Sequence, residues 1–171
     1  MPRLRDAGHG TIALDLPADD PDAGLTAYVE MAIAAAEGHD DVIVVTQSMG
    51  AFIAVPVCTR LAARGLAGGY PDELDLQTCF LHDVPPEVAA DGAGHQRDEA
   101  DVAFAEPCPF KEWPAVPTTV LAGRDDRFFP FEFQKRVAHE RLGIPARPVP
   151  GGHLCALSHP DDVARALLAG T

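Results

Sequence analysis

Apolar and polar positions along the chain alternate between a period that suits a helix and short runs that suit a buried strand. Leu25, Tyr28, Val29, Ala32, Ile33 and Ala36 recur at three- and four-residue spacing, which predicts a helix with one apolar stripe, closed at Gly38. Ahead of it, Thr11 to Leu14 is a short β-prone run that follows Gly8 and Gly10 and leaves at Asp15-Leu16-Pro17. Behind it, Val42 to Val45 is uniformly β-branched, the composition of a parallel strand covered on both faces. A second helix is predicted from about Ser48 to Arg64 or Gly65, kinked or broken at Pro56.

Leu76 to Leu81 is a weaker strand candidate, and beyond it the periodicity fades. Asp83 to Lys111 reads as short helical turns and loop, so a lid or insertion is expected at about 82–112. Order returns with an apolar strand at Thr118 to Ala122, a helix from about Pro130 to Leu142, and a last strand at Ala146 to Val149. Ser158, Pro160, Asp161 and Asp162 make a good helix start, since a hydroxyl, an N1 proline and early acids all suit exposed N–H groups; that helix should reach Gly170. Strands taking turns with helices imply βαβ units and a mostly parallel sheet, an α/β fold.

Composition narrows this little but excludes several classes. At 171 residues, 47% of them apolar, the chain can bury one sizeable core, and a single domain over 1–171 is expected. A net charge of -13 disfavours nucleic acid and anionic membranes, which need clustered Lys and Arg. The charged start, Met1 to Asp6, does not read as a signal peptide, and the longest apolar run, Ala51 to Cys58, is too short to span a bilayer. Cys58, Cys79, Cys108 and Cys155 are widely spread, with neither C-x-x-C pairing nor histidines at metal-ligand spacing, so no metal site and no disulfide framework is predicted. A reduced, cytoplasmic protein is the simplest account.

Candidate chemistry falls at strand ends, where an open α/β sheet places its ligands. Thr46-Gln47-Ser48-Met49-Gly50 follows the Val42 to Val45 run and fits small-x-Ser-x-Gly, the turn that exposes a nucleophile between strand and helix. The same serine could serve simply as an N-cap. If Ser48 is the nucleophile, the N–H of Met49 is the natural oxyanion donor. Of the seven histidines, His153 stands out: it follows the final strand in Pro150-Gly151-Gly152-His153, where two glycines let the loop bend toward the same sheet edge. A carboxylate to orient it is offered by Gly123-Arg124-Asp125-Asp126, with Asp126 preferred, Asp125 the near alternative and Asp83 a more distant one.

Those residues, taken together, carry a resemblance. Gly8-His9-Gly10 through Asp15-Leu16-Pro17, the Thr46 to Gly50 turn, Gly123 to Pro130 and Pro150 to His153 resemble the successive landmarks of the α/β-hydrolase superfamily, in its order Ser, Asp, His. The likeness is greatest to the small esterase and hydroxynitrile-lyase-like branch. Phe80 to Glu87 and Glu140 to Ile144 are similar to bacterial hydrolases of unassigned substrate. The resemblance implies a three-layer sandwich with a central, mostly parallel sheet between helices. It also implies strands ahead of Pro2, one followed by a Gly-rich loop giving the second oxyanion N–H; against that pattern the sheet is expected to be truncated.

The expected activity is hydrolysis of a small carboxylic ester, a small-molecule substrate, through Ser48, His153 and Asp126 and an acyl-enzyme, with no cofactor. Gln47, Phe128 and Phe129 are expected to border the substrate. Two alternatives stay open at this level: a non-catalytic remnant whose exposed sheet edge favours pairing into a homo-oligomer, and a hydroxynitrile-lyase-like use of the same triad.

Overall fold

A computed structural model of the chain describes residues 1–39, 42–48, 75–95, 97, 100–105, 113 and 117–169. In chain order its regular elements are α1 (Pro2–Asp6), α2 (Leu25–Ala36), α3 (Leu76–Cys79), α4 (Pro86–Ala93), α5 (Val102–Ala105), β1 (Val120–Gly123), α6 (Phe131–Leu142), β2 (Ala146–Val149), α7 (Cys155–Ser158) and α8 (Pro160–Leu168). They divide between two compact units. One comprises Met1–His9, Gly69–His95 and Ala115–Thr171; the other comprises Gly10–Gly68 and Gln96–Pro114. The predicted helix after Ser48, with Met49, Pro56 and Cys58, lies outside the described residues, as do Cys108 and part of the predicted lid.

The first unit is built on a βαβ crossover. β1 and β2 pair in parallel, Val120 against Ala146 through Gly123 against Val149, and α6 carries the chain from one to the other. Three small side chains make the helix-sheet interface: Ala122, Ala138 and Ala146 are buried together, with Val120 and Phe131 packed around them. Alanine at these contacts lets α6 lie close on the strands, and close packing leaves little room for larger side chains. β2 begins and ends where the sequence places it, and β1 starts and stops slightly later than Thr118 to Ala122. α8 starts at Pro160 with Asp161 and Asp162 in its first turn and stops at Leu168. Arg3 of α1 pairs with Asp161 at its N-terminal end. No helix among the described residues is long and apolar enough to cross a membrane.

In the second unit α2 occupies the predicted span. Within its stripe Leu25 and Tyr28 are buried with Ala23 against Leu16 and Ala27, and Val29, Ala32 and Ala36 are half-buried. The Tyr28 hydroxyl donates to the Pro17 carbonyl at 3.5 Å. The Ala100 N–H donates to the Ala18 carbonyl at 2.8 Å, and Arg97 pairs with Asp15 and Asp19.

Four expectations are corrected. Leu76 to Leu81 is not a strand: the Asp75 carboxylate accepts the Gln77 N–H at 3.0 Å and also holds the Thr78 hydroxyl, so a helix cap decides a segment that apolar character left ambiguous. Thr11 to Leu14 and Val42 to Val45 have no regular structure, and the latter is exposed throughout, Val44 by 74%. β-branched composition disposes a segment to extend, but a strand exists only as part of a hydrogen-bonded ladder, and the sheet among the described residues consists of β1 and β2. Ser158 does not cap α8; it closes α7, and its hydroxyl donates to Asp83 at 2.8 Å.

The alanine interface gives a direct test. Ala122 is 1% exposed, so Ala122→Leu should force α6 away from the strands and lower the unfolding free energy by about 1–3 kcal/mol, read as a lower urea midpoint at unchanged m.

Candidate active site

Because β1 and β2 run in parallel and finish level, Gly123 beside Val149, the loops that follow them leave the same sheet edge side by side. They stay zipped past the strands: the Arg124 N–H donates to the Val149 carbonyl at 2.9 Å, and the Asp125 N–H to the Gly151 carbonyl at 3.0 Å. Gly123 makes this approach feasible, since a Cβ there would stand 2.3 Å from the Gly152 carbonyl oxygen.

The two loops bring Asp126 and His153 together. Asp126 Oδ2 lies 3.0 Å from His153 Nδ1, with the residues only 7% and 9% exposed. An ionised carboxylate can only accept, so Nδ1 donates and the imidazole lone pair falls on Nε2, the tautomer a general base needs. Asp126 is itself held from several sides. Its Oδ1 accepts the N–H groups of Phe128 and Phe129, each at 2.8 Å, and Oδ2 accepts Gln134 Nε2 from α6 at 3.1 Å. Asp125, the near alternative, is exposed, and His153 is the one buried histidine among the described residues.

Aromatic rings enclose the imidazole. Phe80 meets it edge-on, with centroids 4.8 Å apart at 83°; Phe128 does so at 5.3 Å and 80°, and Phe129 is tilted at 5.6 Å. Phe80 also packs on Phe128, and Phe129 stacks on Phe133. This apolar surround limits rotation of the ring and strengthens its bond to the carboxylate by excluding water. Cys155, close by in α7, is a poor rival nucleophile: burial pushes its thiol up, and Asp126 and Asp83 push the same way.

Ser48 belongs to the other unit and is described by its own backbone. It follows Val42 to Val45, is exposed, and has φ of 51°, the one positive value on a non-glycine among the described residues. A left-handed serine costs on the order of 1–3 kcal/mol and is characteristic of the tight turn that presents a nucleophile. Gln47 beside it is exposed as well, and Met49 lies outside the described residues.

Two contributors were invisible in the sequence. Phe80 sits 73 residues before His153, and nothing in its local pattern marks a contact with that ring. Gln134 reads as an ordinary polar helix position until the fold turns it toward Asp126. Asp83, weighed as a triad acid, contacts the backbone before His153 instead of its ring, its Oδ2 accepting the Gly152 N–H at 2.6 Å.

Residues 1–166 match a family model described as the alpha/beta hydrolase family. No curated protein matches the chain. Among solved structures it is similar to a pyrethroid hydrolase from Sphingobium faniae JZ-2, with a TM-score of 0.69 and 16% identity over 98% of this chain and 88% of that one. It is likewise similar to PytH bearing a histidine-to-alanine change, at TM-score 0.67 and 16% identity, with the same coverage of 98% and 88%. At that identity the likeness speaks for the fold.

The Asp83 carboxyl is held below its ordinary value of 3.8: burial alone would raise it, but the Gly152 N–H, the Ser158 hydroxyl and His82 together outweigh burial. A carboxyl lowered in the folded state stabilises the fold above its unfolded value, and that contribution is lost as pH falls from there through the lower folded value. Thermal melts between pH 6 and 3 should therefore show the wild type losing more stability in acid than Asp83→Asn, with the difference concentrated below about pH 4.

Proposed function

Since the chain belongs to the alpha/beta hydrolase family, we propose that it is a serine hydrolase of small carboxylic esters, with Ser48 as nucleophile, His153 as base and Asp126 as the acid that orients it. The observation that carries this reading is the buried pair at 3.0 Å between Asp126 and His153, set at the ends of adjacent parallel strands.

In this reading the Ser48 hydroxyl attacks the acyl carbon while His153 Nε2 takes its proton. Asp126 stabilises the imidazolium that forms, and its other contacts, to Phe128, Phe129 and Gln134, keep it from turning away. The imidazolium then protonates the departing alcohol. A water molecule, activated by the same nitrogen, attacks the acyl-enzyme and releases the acid and free Ser48. The left-handed backbone at Ser48 supports the nucleophile role over that of a helix cap, because an N-cap residue has extended backbone. The N–H of Met49 is the assigned oxyanion donor, as the residue that follows the nucleophile. Phe128 and Phe129, whose rings pack beside the base, suit an apolar acyl or alcohol group, with Gln47 as a polar neighbour of the nucleophile. A solved structural neighbour bearing the name pyrethroid hydrolase is consistent with hydrolytic chemistry on this fold.

A fluorophosphonate probe tests the assignment. The wild type should be labelled on Ser48, and Ser48→Ala should lose both labelling and p-nitrophenyl ester turnover, a drop of about 10⁴-fold or more in kcat. Labelling that survives Ser48→Ala would remove this serine as the nucleophile. Asp126→Asn should lower kcat by up to about 10⁴-fold with little effect on folding, because an amide in that place no longer selects the required imidazole tautomer.

A further inference from the structure

The turn that carries His153 is gripped by a second carboxylate that never touches the imidazole. Asp83 lies between α3 and α4, within the same unit as His153. Its Oδ2 accepts the Gly152 N–H at 2.6 Å and the Ser158 hydroxyl at 2.8 Å. Gly152 directly precedes the histidine and Ser158 closes the helical turn after it, so one oxygen ties down both flanks of the base.

The fit around this oxygen accounts for both glycines ahead of the histidine. A Cβ on Gly151, where φ is +95°, would stand 2.8 Å from Asp83 Oδ2 and 2.5 Å from His159 Cδ2. One on Gly152 would stand 2.5 Å from His82 Nε2 and 2.9 Å from Asp83 Oδ1. The backbone reaches the carboxylate only because neither residue has a side chain. Among the described residues the remaining oxygen, Oδ1, is buried without a hydrogen-bond partner, 4.0 Å from the equally unpartnered Nε2 of His82. An orphaned buried acceptor costs free energy, so the site keeps a carboxylate that is not fully satisfied.

We propose that Asp83 is a positioning residue for His153, fixing the Gly151-Gly152 turn and the first turn of α7 so that the imidazole stays on Asp126 and presents Nε2. This rests on the assignment of Ser48, His153 and Asp126 as the triad. Asp83 takes up no proton in the reaction and acts only through the backbone and Ser158. Displacing a base by about 1 Å can cost on the order of 100-fold in rate, so loss of the clamp falls on turnover and not on substrate binding.

The test uses the full chain and a p-nitrophenyl ester. Asp83→Ala should lower kcat by about 10- to 100-fold with KM within about two-fold, and Gly152 amide exchange followed by NMR should quicken. Asp83→Asn, whose carbonyl oxygen can still accept both donors, should recover most of the turnover and the slow exchange. Should Asp83→Ala fail to fold, Ser158→Ala removes only the hydroxyl side of the clamp and should lower kcat by about 3- to 10-fold at unchanged KM. Wild-type kcat in a folded Asp83→Ala, or in Ser158→Ala where the former does not fold, overturns the positioning role while leaving the triad intact. Turnover that is absent from the wild type, or that survives Ser48→Ala, overturns the triad assignment and this role with it.

Discussion

The level finish of two parallel strands is the constraint from which the site follows. Asp126 and His153 are 27 residues apart, joined through a loop, a helix and a strand, and no local interaction could bring them to 3.0 Å. What does so is the pairing of Gly123 with Val149, which launches both loops from one edge, and the close seat of α6 on Ala122 and Ala146, which sets the length of the return path. The backbone bonds from Arg124 and Asp125 then hold the loops together beyond the sheet. Parallel pairing spaces neighbouring strands by about 4.8 Å, and side chains of aspartate and histidine are long enough to meet across such a gap once their loops turn inward.

Two carboxylates, one buried and one half-buried, show how polarity is accommodated at this edge. Burying a charged group is costly unless it is paired and hydrogen-bonded, and Asp126 meets both conditions, with an imidazole, two backbone N–H groups and an amide around it. Asp83 is less completely satisfied, with both of its hydrogen bonds on Oδ2. The aromatic rings from Phe80, Phe128 and Phe129 add an apolar wall beside the imidazole that strengthens its bond to Asp126. Precise placement of the base thus comes from several weak constraints that share a few atoms.

Legibility varied with how local the deciding physics was. The stripe from Leu25 to Ala36 and the acid-and-proline start at Pro160 predict helices that the fold contains, because i to i+4 hydrogen bonds and exposed N–H groups are satisfied within the segment. Leu76 to Leu81 misled because one side chain, Asp75, captures the first turn and outweighs a mildly apolar run. Val42 to Val45 misled for the opposite reason: β-branched residues state a preference, but strand formation requires a partner that composition does not name. At the site, Asp126 and His153 were readable from glycine-flanked positions after predicted strands, whereas Phe80 and Gln134, and the clamp by Asp83, depend on contacts across long stretches of chain.

By itself the sequence determined the α/β alternation, the helix that becomes α6, the strand at Ala146 to Val149, and the candidate trio Ser48, Asp126 and His153, since each is signalled by neighbours within a few residues. Only the tertiary structure decided that Asp126 and not Asp125 meets the imidazole, that Asp83 grips the turn beside it, and that aromatic rings close over the pair. The reason is geometric: local sequence sets how each segment bends, but the distance between side chains on different segments is set by which segments pack together and in what register.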